Sequence, residues 1–395
     1  MEIGLYIVDM DYSYKKLKEL NSEFGDAFYI FDNHIVESTI KSFYDSFSSS
    51  KNDLIIAYPF KTCFLFPLIR TAENNGCYAE VASDYEYALA NHAGFKNNRI
   101  VFNGPYKDFD LVIKILKAGG YVNLDSCYEV EQLIHLMKSS NINVGLRCNF
   151  DVDERVSRFG IDCKSNMIFD VAKKLTENSI GINGLHCHIK CRDLESWRIK
   201  TRKLVSIYNS LIGRGYGDKI EYLDLGGGFH YGKAKEYASV IIDELQGIPS
   251  NIRIILEPGA GISEGCLDFC SRIVNENVVD NTKYVTMAGC VADVSAIRKY
   301  PPSDVLSFKQ NETDSQMEVK ICGFTCMEDD IIVHSHQEYL SVDDFVVFKG
   351  VGAYSSALRS NFIRGYAPVI SYNSNQFTLC RSNASFDYYI MSSGQ

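Results

Sequence analysis

The sequence predicts an α/β protein: a (β/α)8 barrel with a carboxy-terminal antiparallel β domain. Three observations carry that reading. Eight short apolar runs, at residues 54–58, 78–82, 100–104, 122–125, 144–148, 184–188, 222–227 and 254–259, alternate with helical patterns. Their starts lie about 22 to 40 residues apart, the length of a β-loop-α-loop unit, and eight such units close into a barrel. The triplet Gly226-Gly227-Gly228 follows the seventh run and not the first, where a dinucleotide-binding open sheet would carry its glycines. After about residue 264 the helical rhythm stops and polar, turn-rich segments separate the runs 283–287, 318–322, 345–348 and 377–380, the pattern of a β domain.

In chain order, residues 1–31 hold two β-like pieces, around 4–8 and 28–31, with a polar helical stretch between them. These pieces are expected to join the β domain, which then comprises residues 1–32 and 265–395 around a barrel of residues 33–264. Asp32 or Asn33 caps a helix in which Val36, Ile40, Phe43, Tyr44 and Phe47 repeat at helical spacing. Ser83 with Glu86 and Ser126 with Glu129 have the Ser-x-x-Glu form of a capping box, and Gly76 and Gly94 mark helix ends.

A chain of 395 residues with 46% apolar content can bury a large core. Its formal charge of -10 argues against a nucleic-acid or anionic-membrane surface. Thirteen cysteines, an odd number without compact spacing, fit reduced thiols in a cytoplasmic protein. No run approaches a membrane span, and Glu2 and Asp9 flank the apolar start, so neither a signal peptide nor a transmembrane helix is expected. Cys187/Cys191, Cys266/Cys270 and Cys322/Cys326 share a gap of three residues, but no spacing completes a tetrahedral metal site.

The strand ends gather chemistry on one rim. Lys61 follows the first run, Glu80 lies on the second, Arg147 on the fifth, His188 ends the sixth and Glu257 the eighth, while the glycine triplet follows the seventh. Glycines let backbone amides approach an anion closely, and an amine, an acid and an imidazole beside such a cradle suit pyridoxal phosphate. Lys61 would hold the aldehyde, Glu257 would keep the ring nitrogen protonated, and His188 would stack on the ring face. Each residue also has a plainer reading: a solvated lysine, a strand-end acid, a satisfied core histidine. His186 shares a face with His188, and spacing does not separate them.

Several motifs follow one another in order: Tyr58-Pro59-Phe60-Lys61, Glu80-Val81-Ala82-Ser83, Ile100-Val101-Phe102-Asn103-Gly104, Leu146-Arg147-Cys148-Asn149, Arg158-Phe159-Gly160-Ile161, Gly184-Leu185-His186-Cys187-His188-Ile189, Leu225 through Phe229, and Glu257-Pro258-Gly259. Together they resemble the pyridoxal-phosphate decarboxylases of the ornithine and diaminopimelate decarboxylase group, which share a barrel with alanine racemase. The resemblance implies a homodimer with shared active sites and a small amino-acid substrate. It makes Lys61 the aldehyde-holding lysine, His188 the stacking histidine, Glu257 the partner of the ring nitrogen and Gly226, Gly227 and Gly228 the phosphate loop. It also matches Tyr354, in Gly352-Ala353-Tyr354, to a phosphate-contacting tyrosine, and Cys326 to a proton-donating cysteine contributed by the partner subunit. A racemase or epimerase on the same barrel, and an inactive decarboxylase-like binding protein, are the alternatives.

The chain departs from the family's pattern in four places, one of them Ala288-Gly289-Cys290 where Asp-Gly-Gly is usual near the start of the β domain. Ala260 stands where an arginine usually follows Glu-Pro-Gly, and Lys190-Cys191 replaces Gly-Ser; Lys190 is a candidate for restoring the lost charge. Met327 occupies the usual acidic position beside the cysteine, with Glu328 next in line. Since these positions read the far end of the substrate and a thioether cannot pair with an amino group, a non-standard substrate is expected.

Overall fold

The computed structural model describes residues 12–137, 142–154, 157–295, 304–311, 317–373, 376–392 and 394, so the strand expected at residues 4–8 lies outside them. The chain divides into two compact units, one of residues 39–262 and one combining the chain up to residue 38 with that from residue 263.

The first unit is a closed parallel barrel. All eight apolar runs form strands: Leu54–Pro59, Tyr78–Val81, Ile100–Phe102, Tyr121–Leu124, Asn143–Asn149, Gly181–His186, Tyr222–Asp224 and Arg253–Leu256. Each pairs with its neighbours in sequence, and the eighth pairs with the first through Ile254–Leu54, which closes the ring. The sixth, seventh and eighth strands end two or three residues earlier than the apolar runs suggest. Gly226 turns the chain out of the ladder at φ +65, and Pro258 has no N–H to continue one. A further short strand, Ile161–Asp162, adds to the end of the fifth.

Both capping boxes form. Ser83 Oγ accepts from Glu86 N at 3.2 Å and Ser126 Oγ from Glu129 N at 3.3 Å, while the two glutamates reach back to the N–H groups of Ala82 and Asp125. Ile55, Ala57, Val101, Tyr121, Tyr222 and Ile255 fill the barrel. Tyr222 crosses the interior over two glycines: a Cβ at Gly145 would lie 2.1 Å from its hydroxyl, and one at Gly184 would lie 2.0 Å from its ring. Only bare backbone leaves room for the ring.

The second unit is a nine-stranded sheet, and the four runs read as its strands lie on Thr282–Met287, Glu318–Cys322, Phe345–Phe348 and Gln376–Arg381. Strand Ala27–Asp32 joins it, with its antiparallel neighbour Leu267–Val279 on one side. Two ladders are parallel: Ala27–Asp32 with Val369–Asn373, and Thr282–Met287 with Glu318–Cys322. Long connections separate both pairs in sequence, as parallel neighbours require. Leu17 and Leu20, on helix Tyr14–Phe24, pack with Phe28, Ile30, Phe345, Val347 and Ile370 to form its core. Asp32 is the helix cap: its Oδ1 accepts from His34 N at 2.8 Å at the start of helix Asn33–Ser46.

Candidate active site

The barrel's carboxyl rim brings the expected residues of that unit together. One 3-10 turn, Phe60–Thr62, follows the first strand and turns the Lys61 amine onto Glu80 of the second strand, with which it forms an ion pair. The lysine side chain is 40% exposed and the glutamate almost fully buried, so the amine is accessible while its counter-charge is fixed. Behind the pair, Asn103 Nδ2 donates to Glu80 Oε1 at 3.2 Å and to Glu257 Oε1 at 2.6 Å. Asn123 in turn donates to Asn103 Oδ1 at 2.9 Å, and the Tyr222 hydroxyl donates to Asn123 Oδ1 at 2.8 Å. One amide thus ties the acid beside the lysine to the acid on the eighth strand, and a second amide and a phenol hold it in place.

Glu257 and Asp224 are both buried. Burial, together with the charges of Asp224 and Glu80, pushes the Glu257 carboxyl well above the ordinary range. Burial also raises Asp224 to about 7, against the Gly226 N–H that donates to its Oδ1 at 2.9 Å. The two buried acids bring oxygen atoms within 4.8 Å of each other, and burial shifts both toward the protonated form.

The structure separates the two histidines. His186 is buried at the end of its strand, has no hydrogen-bond partner on either ring nitrogen, and lies 3.7 Å from Glu257. His186, Asp224 and Glu257 bring potential metal-ligand atoms within 4.8 Å of one another. His188 lies past the strand end with its side chain 38% exposed, and its Nδ1 accepts from Gly227 N at 2.9 Å. Desolvation and then the charges of Lys61, Lys200 and Arg147 hold the His188 pKa well below its usual value, and an Nδ1 that accepts a bond requires the neutral ring. Arg147 pairs with Asp125 at 2.7 Å and donates to the His188 carbonyl at 3.3 Å, so it positions the histidine loop.

Gly226 and Gly228 sit at φ +65 and +109. Added Cβ atoms would come within 2.5 Å of the Cys187 carbonyl and 2.4 Å of the Cys191 carbonyl, so the loop lies tight on the chain after the sixth strand. Only glycine satisfies both the dihedrals and the contact. Ala260 is buried beyond the eighth strand, and Lys190 is exposed. Sequence reading missed Asn103, Asp224 and Lys200. Lys200 is fully buried on helix Leu194–Gly213, 3.4 Å from the Gly227 carbonyl. Its signal was a lysine in register with Trp197, Thr201 and Leu204 on an apolar stripe.

The remaining candidates belong to the β unit. Tyr354 is held at φ +59, unusual for an aromatic residue, two residues after Gly352, where a Cβ would lie 1.8 Å from the Ser263 carbonyl. Cys326 and Glu328 are exposed, and Met327 is 56% exposed, on a loop tied at its base. Asp330 makes that tie: its carboxylate accepts from Val291 N at 2.8 Å and from the Thr325 hydroxyl at 2.6 Å, and its N–H donates to the Met327 carbonyl at 3.1 Å.

An accessible lysine with a fixed carboxylate, a buried acid whose pKa is raised, a neutral imidazole and a glycine turn on one barrel rim define a site for an aldehyde-bearing aromatic phosphate cofactor. Residues 35–264 match the family described as pyridoxal-dependent decarboxylase, pyridoxal binding domain, and the chain belongs to that family. Its cofactor is pyridoxal phosphate, and the rim's donor set and glycine turn fit that group. The chain is 24% identical over 398 residues to diaminopimelate decarboxylase of Aquifex aeolicus, covering 95% of this chain and 93% of that protein. It is 25% identical over 385 residues to the Staphylococcus aureus diaminopimelate decarboxylase, covering 90% of each. The crystal structure of M. jannaschii diaminopimelate decarboxylase with L-lysine superposes with TM-score 0.85 at 23% identity, covering 95% of this chain and 93% of that one. The lysine/ornithine decarboxylase of Vibrio vulnificus with putrescine gives 0.79 at 17%, covering 91% and 99%. Among the described residues, no helix is long and apolar enough to cross a membrane.

Proposed function

We propose that this chain is an amino-acid decarboxylase of the diaminopimelate and ornithine decarboxylase type, working as a homodimer on a small amino acid whose far end is not read by an acid at position 327. The observation that carries the reading is the bonded line Lys61, Glu80, Asn103, Glu257 beside a neutral His188 and the glycine loop. Pyridoxal phosphate, when bound, supplies an aldehyde and a ring that withdraws electrons from the substrate's α-carbon.

The residues of the chain do the rest. Lys61 would hold the aldehyde, with Glu80 accepting and returning protons at Nζ. Glu257 would hold a proton toward the ring nitrogen. His188, neutral and fixed by Gly227 N–H, would offer a flat face, and Gly226, Gly227 and Gly228, with Tyr354, would receive the phosphate. The barrel of residues 33–264 would bind the cofactor, and the β domain of residues 1–32 and 265–395 would supply Cys326 to the partner subunit's site as a thiol proton donor. The tied loop that projects Cys326, Met327 and Glu328 into solvent suits such a contribution. Met327 offers no charge to an amino or amidinium group, which favours a substrate other than ornithine, lysine or diaminopimelate.

The test is a panel of amino acids assayed for carbon dioxide release, with borohydride trapping of the cofactor on Lys61. Carbon dioxide from at least one substrate, and a cofactor-bearing Lys61 peptide, are expected. Racemised substrate without carbon dioxide, or cofactor trapped on another lysine, would overturn the reading.

A further inference from the structure

Three cations of the barrel rim have carboxylate partners, and among the described residues a fourth, Lys200, has none. Lys61 is paired with Glu80, Lys107 with Glu129 at 2.8 Å, and Arg147 with Asp125 at 2.7 Å. Lys200 is fully buried, and its Nζ meets only the Gly227 carbonyl, at 3.4 Å, and the Trp197 ring, at 3.1 Å from the centroid. Burial lowers the Lys200 pKa, and Cys187, Cys191, Glu257 and Asp224 oppose that shift, both acids from beyond ion-pair distance. A carbonyl and an aromatic face stabilise an ammonium only partly, and an ammonium without a counter-anion in a dry interior is costly.

The position of the charge explains it. Lys200 reaches the glycine loop from helix Leu194–Gly213, whose Trp197 also donates Nε1–H to the Gly228 carbonyl at 3.4 Å and stacks on Phe229 at 4.2 Å. The loop is thus held from behind, through its carbonyls, by an indole and an ammonium. When its carbonyls bind cations and donors on one side, the amides of the same peptides are polarised toward an anion on the other. The neighbouring buried Ala260 ends in a methyl group and supplies no charge.

We propose that Lys200 is a positioning residue for phosphate binding, its charge acting through the Gly227 carbonyl from behind the Gly226–Gly228 loop to balance the phosphomonoester dianion that the loop would receive. This assignment rests on the cofactor reading above. Lys190, exposed on the adjoining loop, is not needed for it.

The test compares a ligand that carries the phosphate with one that lacks it. The full-length protein, stripped with hydroxylamine, is titrated with pyridoxal phosphate and with pyridoxal, as wild type, Lys200→Met, Lys200→Gln and Lys200→Arg. Inorganic phosphate is then tested for its effect on thermal midpoint. Lys200→Met and Lys200→Gln are expected to weaken pyridoxal phosphate at least tenfold with pyridoxal unchanged, and Lys200→Arg to recover most of the loss. Without ligand, Lys200→Met should melt no lower than wild type, since an uncompensated charge has been removed, and should lose the rise that inorganic phosphate gives wild type. Equal weakening of both ligands, or no weakening, would overturn the assignment while leaving the cofactor reading intact. Wild type that binds neither ligand would overturn both.

Discussion

Replacing Asp224 with asparagine tests the buried acid pair directly. Asp224 has an ordinary carboxyl pKa of 3.8 that burial raises to about 7, so the folded barrel binds a proton that the unfolded chain releases. Over that window the unfolded state binds fewer protons, and stability falls as pH rises, the loss being complete above the folded-state pKa. A difference of roughly three pH units is worth about 4 kcal/mol at 1.36 kcal/mol per unit. Asparagine keeps the shape and still accepts from Gly226 N, while its amide donates to Glu257, so the variant should lack that pH dependence. Trp197, the only tryptophan, is buried against the glycine loop, and its fluorescence isolates unfolding of the barrel from that of the β unit. Urea denaturation of cofactor-free protein between pH 4 and pH 8 should show a falling wild-type curve and a flatter Asp224→Asn curve, with the variant ahead at pH 8. Parallel curves would refute the idea that the pair traps a proton.

Gly228→Ala forces a side chain to φ +109 and against the Cys191 carbonyl, a strain of about 1–3 kcal/mol, and is expected to weaken pyridoxal phosphate retention in equilibrium dialysis by tenfold or more. Asn103→Leu removes the donor shared by Glu80 and Glu257, at about 1.5–3 kcal/mol for the bond to the ion-paired Glu80 and about 1 kcal/mol for the bond to Glu257, and should lower the urea midpoint followed at Trp197. Met327→Glu supplies an anion at the exposed loop, so kcat/KM for ornithine or diaminopimelate should rise about tenfold, the worth of roughly 1.4 kcal/mol. An unchanged value would remove residue 327 from substrate selection.

Periodicity made the barrel legible, because each strand is a short apolar run bounded by a helix with its own start signal, as at Ser83 and Ser126. The grouping of residues at the strand ends was legible for the same reason: Lys61, Glu80, His188 and Glu257 lie where the period changes. Two kinds of information were not local. The parallel ladders of the β unit pair strands far apart in sequence, which alternation of side chains does not encode. Asn103, Asp224 and Lys200 act through neighbours on other strands and helices, so their roles appear only once the ring has closed. The histidines show both sides: spacing put them on one face, while the end of the ladder at His186 made one a core residue and the other a rim residue.

Strand Ala27–Asp32 lies between Leu267–Val279 and Val369–Asn373 in its sheet. During synthesis this early strand emerges long before either neighbour, and at ordinary elongation rates it waits on the order of tens of seconds with both edges bare. The contiguous barrel can close on the ribosome in the meantime. Phe28, Tyr29, Ile30 and Phe31 are then the segment most open to capture by another nascent chain, and the one for which a chaperone matters most.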